Sequence, residues 1–290
     1  MRISLNITHY SWPVPPADLV LRLAEIARAA EECGVDTLWV PDHLIQADPV
    51  SSPEKEMLEA YTTLGFLAGQ TERVRLGTMV TAVSYRAPSL LVKAVTTLDV
   101  LSRGRAWLGI GAGYSEHEAA TMGLPLPPTA ARFGQLEETL QLANRMWARD
   151  ESPFEGEHFR LTRPYASPGP ASSPRPPVLI GGMGERRTLP LVAKYADACN
   201  LFDIPDDGRT VTHKLGVLAA HCAEIGRPFA EIEKTLSARL EPGETARQFL
   251  DRCGRWAELG FEHVVLITPG PWTMDALAQL ADAVPAAREI

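Results

Sequence analysis

The sequence is poor in cysteine and has no long apolar run, and each absence narrows what the chain can be. Cys33, Cys199, Cys222 and Cys253 are its four cysteines in 290 residues, and no two form a C-x-x-C pair. That leaves neither a zinc knuckle nor a disulfide framework. No segment approaches the roughly 20 apolar residues of a membrane-spanning helix, and residues 1–8 read as a strand and not as a signal peptide. A cytoplasmic location is expected. Basic residues are in the minority, 28 against 36 acidic ones for a net charge of -8, which speaks against nucleic acid or an anionic membrane as partner. There is no H-x-H or H-E-x-x-H cluster to hold a metal, no G-x-S-x-G elbow and no Walker loop.

What is present is one arrangement used four times, an apolar strand running straight into small, polar or ionisable residues. Thr37-Leu-Trp-Val-Pro41 leads into Asp42-His43, and Val74-Arg-Leu76 into Gly77-Thr-Met-Val-Thr81. Ala106-Trp-Leu108 leads into Gly109-Ile-Gly-Ala-Gly-Tyr114, and Pro177-Val-Leu-Ile180 into Gly181-Gly-Met-Gly184. In parallel α/β architectures the loops after the strands converge on one crevice, so ligand chemistry is expected there. Strand signals recur at 2–8, 37–40, 74–81, 105–110, 177–180, 198–202, 234–240 and 263–268, with amphipathic helix patterns such as 19–33, 87–101, 133–147, 187–195, 245–259 and 273–284 between them. Eight such units at this length fit a single α/β domain over 1–290, a closed (β/α)8 TIM barrel. Gly34, Gly226 and Gly260 fall where helices need left-handed C-terminal caps. Surface excursions are expected near 45–57 and 164–176, mobile in composition and able to shape substrate choice. The Pro-rich second one is the best linker candidate, yet a boundary there would leave neither half with a closed sheet.

Within this frame a few residues carry chemistry. Histidine as a residue type can both donate and accept a proton, so His43 suits a general acid or base; Asp42 beside it points to the opposite side of an extended chain and need not touch it. Gly77 to Thr81 reads either as a bulge that lets backbone approach a ligand or as a plain β-branched strand. Gly109-Ile-Gly-Ala-Gly-Tyr114 falls one residue short of a dinucleotide fingerprint. Gly181 to Gly184 opens a helix and offers bare amides to a phosphate, or is a tight turn. His9 ends the first strand beside Tyr10 and Trp12, which form an aromatic wall or simply core. Arg86, Arg186 and Arg187 are candidates to reach an anion, against an ordinary surface role for each.

Taken jointly, these segments resemble the luciferase-like monooxygenase superfamily and, within it, the F420-dependent (deazaflavin) oxidoreductases. The resemblance is carried by Leu38-Trp-Val-Pro-Asp-His43, Val74-Arg-Leu-Gly-Thr-Met-Val80, Arg86-Ala-Pro88, Thr97-Leu-Asp-Val-Leu-Ser-Arg-Gly-Arg105, Leu108-Gly-Ile-Gly-Ala-Gly-Tyr-Ser-Glu116, Phe154-Glu-Gly-Glu-His-Phe159 and Pro177-Val-Leu-Ile-Gly-Gly182, in family order from first strand to last. It implies a barrel with a flavin-like ring in its mouth. The bulge of Thr78, Met79 and Val80 would support the ring, with a non-prolyl cis bond at Met79-Val80. Gly181, Gly182, Met183 and Gly184 would cradle the phosphate, and Gly111, Gly113, Tyr114 and His117 would border the cofactor. Asp42 matches a cofactor-contacting acid, and His43 the acid or base near the reacting carbon. Tyr114 stands where the sugar-phosphate dehydrogenase branch has a glutamate acid, so that branch's substrate and full mechanism do not transfer; Tyr114 is a candidate proton donor instead. The expected function is hydride transfer between F420 and a small-molecule substrate, in a homodimer. The alternatives are an FMN-dependent monooxygenase and, from another class, a flavin-binding protein without turnover.

Overall fold

The computed structural model describes residues 1–48 and 51–290, so part of the expected excursion at 45–57, residues 49–50, lies outside the described residues. Eight parallel staves close on one another. They are β1 (Arg2–Asn6), β2 (Thr37–Val40), β3 (Arg75–Thr78) continued by β4 (Thr81–Ala82), β5 (Ala106–Gly111), β8 (Val178–Gly181), β9 (Ala198–Phe202), β10 (Glu233–Arg239) and β11 (His263–Ile267). The ring runs β1, β2, β3, β5, β8, β9, β10, β11 and closes where β11 pairs with β1, Val264 opposite Ile3. A short antiparallel hairpin, β6 (Phe154–Glu155) with β7 (Arg160–Leu161), stands outside it.

The apolar runs sit where alternation and burial place them. Ile3, Leu5, Leu38, Leu76, Leu108, Val178 and Val264 belong to the large cluster between staves and helices. Inside the barrel a smaller cluster of Trp39, Trp107, Leu179, Ala198 and Val265 fills the middle. The helices of that outer layer include α1 (Leu19–Glu32), α2 (Ala60–Gln70), α3 (Pro88–Leu101), α4 (Glu116–Met122), α5 (Thr129–Trp147), α6 (Thr188–Tyr195), α7 (Arg209–Glu224), α8 (Ala246–Glu258), α9 (Met274–Ala281) and α10 (Ala283–Ala287). The expected caps are in place, with φ of +83° at Gly34, +71° at Gly226 and +94° at Gly260.

Two features set the mouth. From Gly77 to Thr81 the third stave advances four residues while β5 advances three, from Trp107 to Ile110. The extra residue makes a bulge there, and the Met79–Val80 peptide within it is cis. The glycines of neighbouring staves admit this bulge: a Cβ on Gly109 would lie 1.8 Å from the Thr78 carbonyl oxygen, and one on Gly111 would lie 2.9 Å from Val80.

The 164–176 excursion corrects the expectation made for it. It leads into the N-terminal end of β8, the side of the barrel away from the mouth, and Asp99 of α3 holds it there. That buried carboxylate accepts the amides of Ala171 and Ser172 at 2.7 and 2.8 Å and the Ser172 hydroxyl at 2.6 Å. A segment tied down at that end is placed for stability and not for substrate choice.

Candidate active site

One cavity of about 500 Å³ occupies the C-terminal mouth, a size usual for a small-molecule site. Its base on one side is the bulge, where Met79, Val80 and Ala82 present an apolar shelf, with Gly111, Gly113, Gly181 and Gly182 beside it. Residues 46–48 and Met57 of the first excursion, together with Phe133 and Leu136 of α5, complete other walls.

His43 and Asp42 diverge, as adjacent residues on extended chain do. His43 faces the cavity and its Nδ1 lies 2.6 Å from Glu118 Oε2. Glu118 also accepts the Leu44 amide at 2.5 Å and the Tyr85 hydroxyl at 2.7 Å, and its side chain is 1% exposed. Burial alone would raise this carboxyl, but the hydrogen bond from His43, the Leu44 amide, the His43 charge and Tyr85 outweigh it and hold the group below the usual range. An ionised Glu118 only accepts, so His43 Nδ1 carries a hydrogen and Nε2 is the nitrogen available for proton exchange in its neutral form. Glu118 is placed by α4, whose N-cap Ser115 accepts the Glu118 amide at 3.2 Å. Tyr114, 70% exposed, packs edge-on against the His43 ring with centroids 5.9 Å apart.

Asp42 lines the cavity and has a partner of its own. Its two oxygens accept from Arg86 Nη1 at 2.5 Å and Nη2 at 3.0 Å, and Arg86 also reaches Glu59 at 2.6 Å and lies over the Tyr61 ring. Burial pushes the Asp42 carboxyl up against the pull of Arg86. Asp42 borders the cavity, but its carboxylate braces β2 against the Arg86 loop. Arg86 is correspondingly engaged inward and does not offer itself to an external anion.

Four further positions lie off the cavity lining. Thr78 is fully buried and donates to the Gly109 carbonyl at 2.7 Å, clasping two staves. His117 is exposed on α4, and its neighbour Glu118 is the residue that turns inward. Met183 and Gly184 continue past the lining, which on this side takes in Gly181, Gly182 and Thr188. The Gly182 amide already donates to the Asn200 carbonyl at 3.3 Å, whereas those of Met183 and Gly184 donate to no group among the described residues. His9 binds Asp48 and Gln46, each at 3.1 Å. Tyr10 and Trp12 are core, Trp12 Nε1 donating to the Trp272 carbonyl at 2.8 Å. The inward residues missed by reading the sequence are Glu118, Tyr85, Asn6, Asn200, Ser237 and Arg239; only Ser115-x-x-Glu118, a helix-start spacing, carried a local signal.

A closed parallel barrel with an oriented histidine and an apolar shelf lining one cavity at its mouth has the make-up of a barrel enzyme. The chain belongs to the luciferase-like monooxygenase family, whose family model matches residues 1–286. Within it, the chain is 31% identical over 243 residues to an F420-dependent glucose-6-phosphate dehydrogenase of Kineococcus radiotolerans, a match covering 82% of this chain and 69% of that one. That relationship places it in the F420-dependent oxidoreductase branch. Among solved structures, an F420-dependent secondary alcohol dehydrogenase in complex with an F420-acetone adduct superposes with a TM-score of 0.83 at 18% identity, covering 99% of both chains. The monooxygenase RslO1 from Streptomyces bottropensis superposes at 0.77, also at 18% identity, covering 100% of this chain and 98% of that one. Likeness at that identity speaks to the fold.

Proposed function

We propose that the protein moves a hydride between F420 and a small organic substrate, with His43 handling the accompanying proton. The observation that carries this reading is the Glu118–His43 pair, which fixes one imidazole tautomer on a histidine that lines the cavity and leaves Nε2 for proton exchange. The residues fit a deazaflavin. Glycines at 111 and 181 let Val80 lie flat between staves, since a Cβ on either would meet that side chain at 2.9 and 3.0 Å. Met79, Val80 and Ala82 would support the ring, and the Met183 and Gly184 amides with Thr188 would take the phosphate. When bound, the deazaflavin supplies the two-electron chemistry. His43 takes or gives the proton at Nε2, Glu118 stabilises the imidazolium formed when it takes one, and Tyr85 holds Glu118. Tyr114 covers the His43 edge and is a second proton carrier in the proposal. A homodimer in the cytoplasm belongs to the same proposal and is checked by sedimentation of the F420-loaded protein.

The test is His43→Ala. Turnover falls by about 10²- to 10⁴-fold while F420 affinity measured by Trp fluorescence is kept. Unchanged turnover would remove His43 from the proton step, F420 binding with no turnover in the wild type would favour a flavin-binding protein without turnover, and selective binding of FMN over F420 would favour the monooxygenase alternative.

A further inference from the structure

The cavity has two unlike halves. The bulge, Gly111 and Gly181–Gly182 occupy the β3, β5 and β8 side, the side assigned above to the cofactor. The opposite half is walled by β9, β10, β11 and β1, and β1 stands next to β2, the stave whose end leads into His43. Along β1 and its continuation the side chains alternate. Ile3, Leu5 and Ile7 belong to the outer apolar cluster, so Ser4, Asn6 and Thr8 point into the barrel. Ser4 lies nearest the N-terminal end of the stave and is hydrogen-bonded to His263 of β11, while Asn6 and Thr8 reach the cavity.

Asn6 and Asn200 put two carboxamides on the lining of this half, and one of them is spent on the barrel itself. Asn200 Oδ1 accepts the Thr235 and Ser237 hydroxyls at 2.9 and 3.2 Å, and its Nδ2 donates to Ser237 Oγ at 2.9 Å. Asn6 is 6% exposed, and neither its Oδ1 nor its Nδ2 has a hydrogen-bond partner among the described residues. Its backbone is nonetheless fixed. The Asn6 carbonyl accepts from Trp272 Nε1 at 2.9 Å, and the next amide, that of Ile7, donates to the Trp39 carbonyl at 2.8 Å. A buried carboxamide held in place and unmet at both ends is costly unless something completes it.

Resting on the F420-dependent reading above, we propose that Asn6 is a specificity-determining residue and that the substrate presents to it a neutral amide, an N–H beside a C=O. The planar carboxamide of Asn6 offers an acceptor and a donor side by side, and an amide or lactam meets both at once with two parallel hydrogen bonds. A ketone, an ether or a carboxylate brings no hydrogen to Oδ1, so each leaves that oxygen buried and unmet. A site of this kind discriminates strongly, because an analogue without the polar hydrogen leaves the protein's own group unpaired.

The experiment uses full-length protein loaded with oxidised F420 and two probes of one ring size, 2-piperidone and cyclohexanone, which share a carbonyl and differ by an N–H against a methylene. Binding is followed by calorimetry, with F420 affinity measured on the same samples. 2-Piperidone binds about tenfold or more tightly, although it is the more polar of the two. Asn6→Leu keeps the volume but neither polar atom and removes that preference, Asn6→Ser keeps one hydroxyl and retains part of it, and F420 affinity is unchanged in both. Equal binding of the two probes or binding of neither in the wild type, a preference that survives Asn6→Leu, or a loss of F420 affinity on that substitution would each overturn the assignment. Failure of the wild type to bind F420 at all would instead overturn the reading on which it rests.

Discussion

Glu118 acts on the chemistry only through His43, so its removal has a distinct signature. Glu118→Gln keeps the shape but not the charge, and as an amide it can present its NH₂ to His43 Nδ1, favouring the wrong tautomer. We expect kcat to fall about 10- to 100-fold, the usual range for an orienting partner, with KM little changed in steady-state assays. The same substitution tests the acid side of stability. The folded protein holds the Glu118 proton less tightly than the unfolded chain does, so this contribution is complete above the unfolded carboxylate value near about 4.3. It is lost as pH falls through the lower folded value. Urea unfolding between pH 6 and 3 should show a shallower loss for Glu118→Gln than for the wild type; identical slopes would mean that Glu118 is not held ionised. Asp42 gives the structural counterpart. Arg86→Ala leaves it buried without its cation and should cost about 3 to 5 kcal/mol, with Asp42→Asn added to that variant recovering part of the loss in the same urea assay.

At the level of elements, the bulge is where packing tolerates least. Gly109→Ala sets a methyl against the Thr78 carbonyl at 1.8 Å, backbone that cannot move aside, and should destabilise by at least about 3 kcal/mol. Gly216, exposed in mid-α7 with nothing within 4 Å of a Cβ, should behave oppositely. Ala there gains about 0.5 to 1 kcal/mol, and thermal melts of the two variants read both directions. The staves were legible because each is a short apolar run ended by Gly, Pro or a polar residue. α2, Ala60–Gln70, was not singled out: Leu64, Phe66, Leu67 and its alanines surround it with apolar groups and leave no clear polar face. α4 is seven residues long, too short for periodicity to register. That brevity also explains why His117 and not Glu118 drew attention in the sequence. Successive residues on a helix point about 100° apart, and without the helix in view nothing chose between it and Glu118. The bond from His43 to Glu118 spans 75 positions, which no local spacing announces.

Across the molecule, closure joins the ends of the chain. β1 pairs with β11, Trp272 Nε1 donates to the Asn6 carbonyl at 2.9 Å, and Trp12 Nε1 returns to the Trp272 carbonyl at 2.8 Å. This is why strand alternation and length foretold the barrel while the far half of its mouth stayed hidden. Asn6, Asn200, Ser237 and Arg239 come from three staves, β1, β9 and β10, spread over the chain and meet only after the ring closes. The central claim concerns what the closed mouth holds, and a paired titration of the purified protein with F420 and with FMN, read by intrinsic Trp fluorescence, tests it most directly. Saturable binding of F420 at concentrations at least about tenfold below those needed for FMN is the predicted result; FMN binding as tight or tighter, or binding of neither, would contradict it.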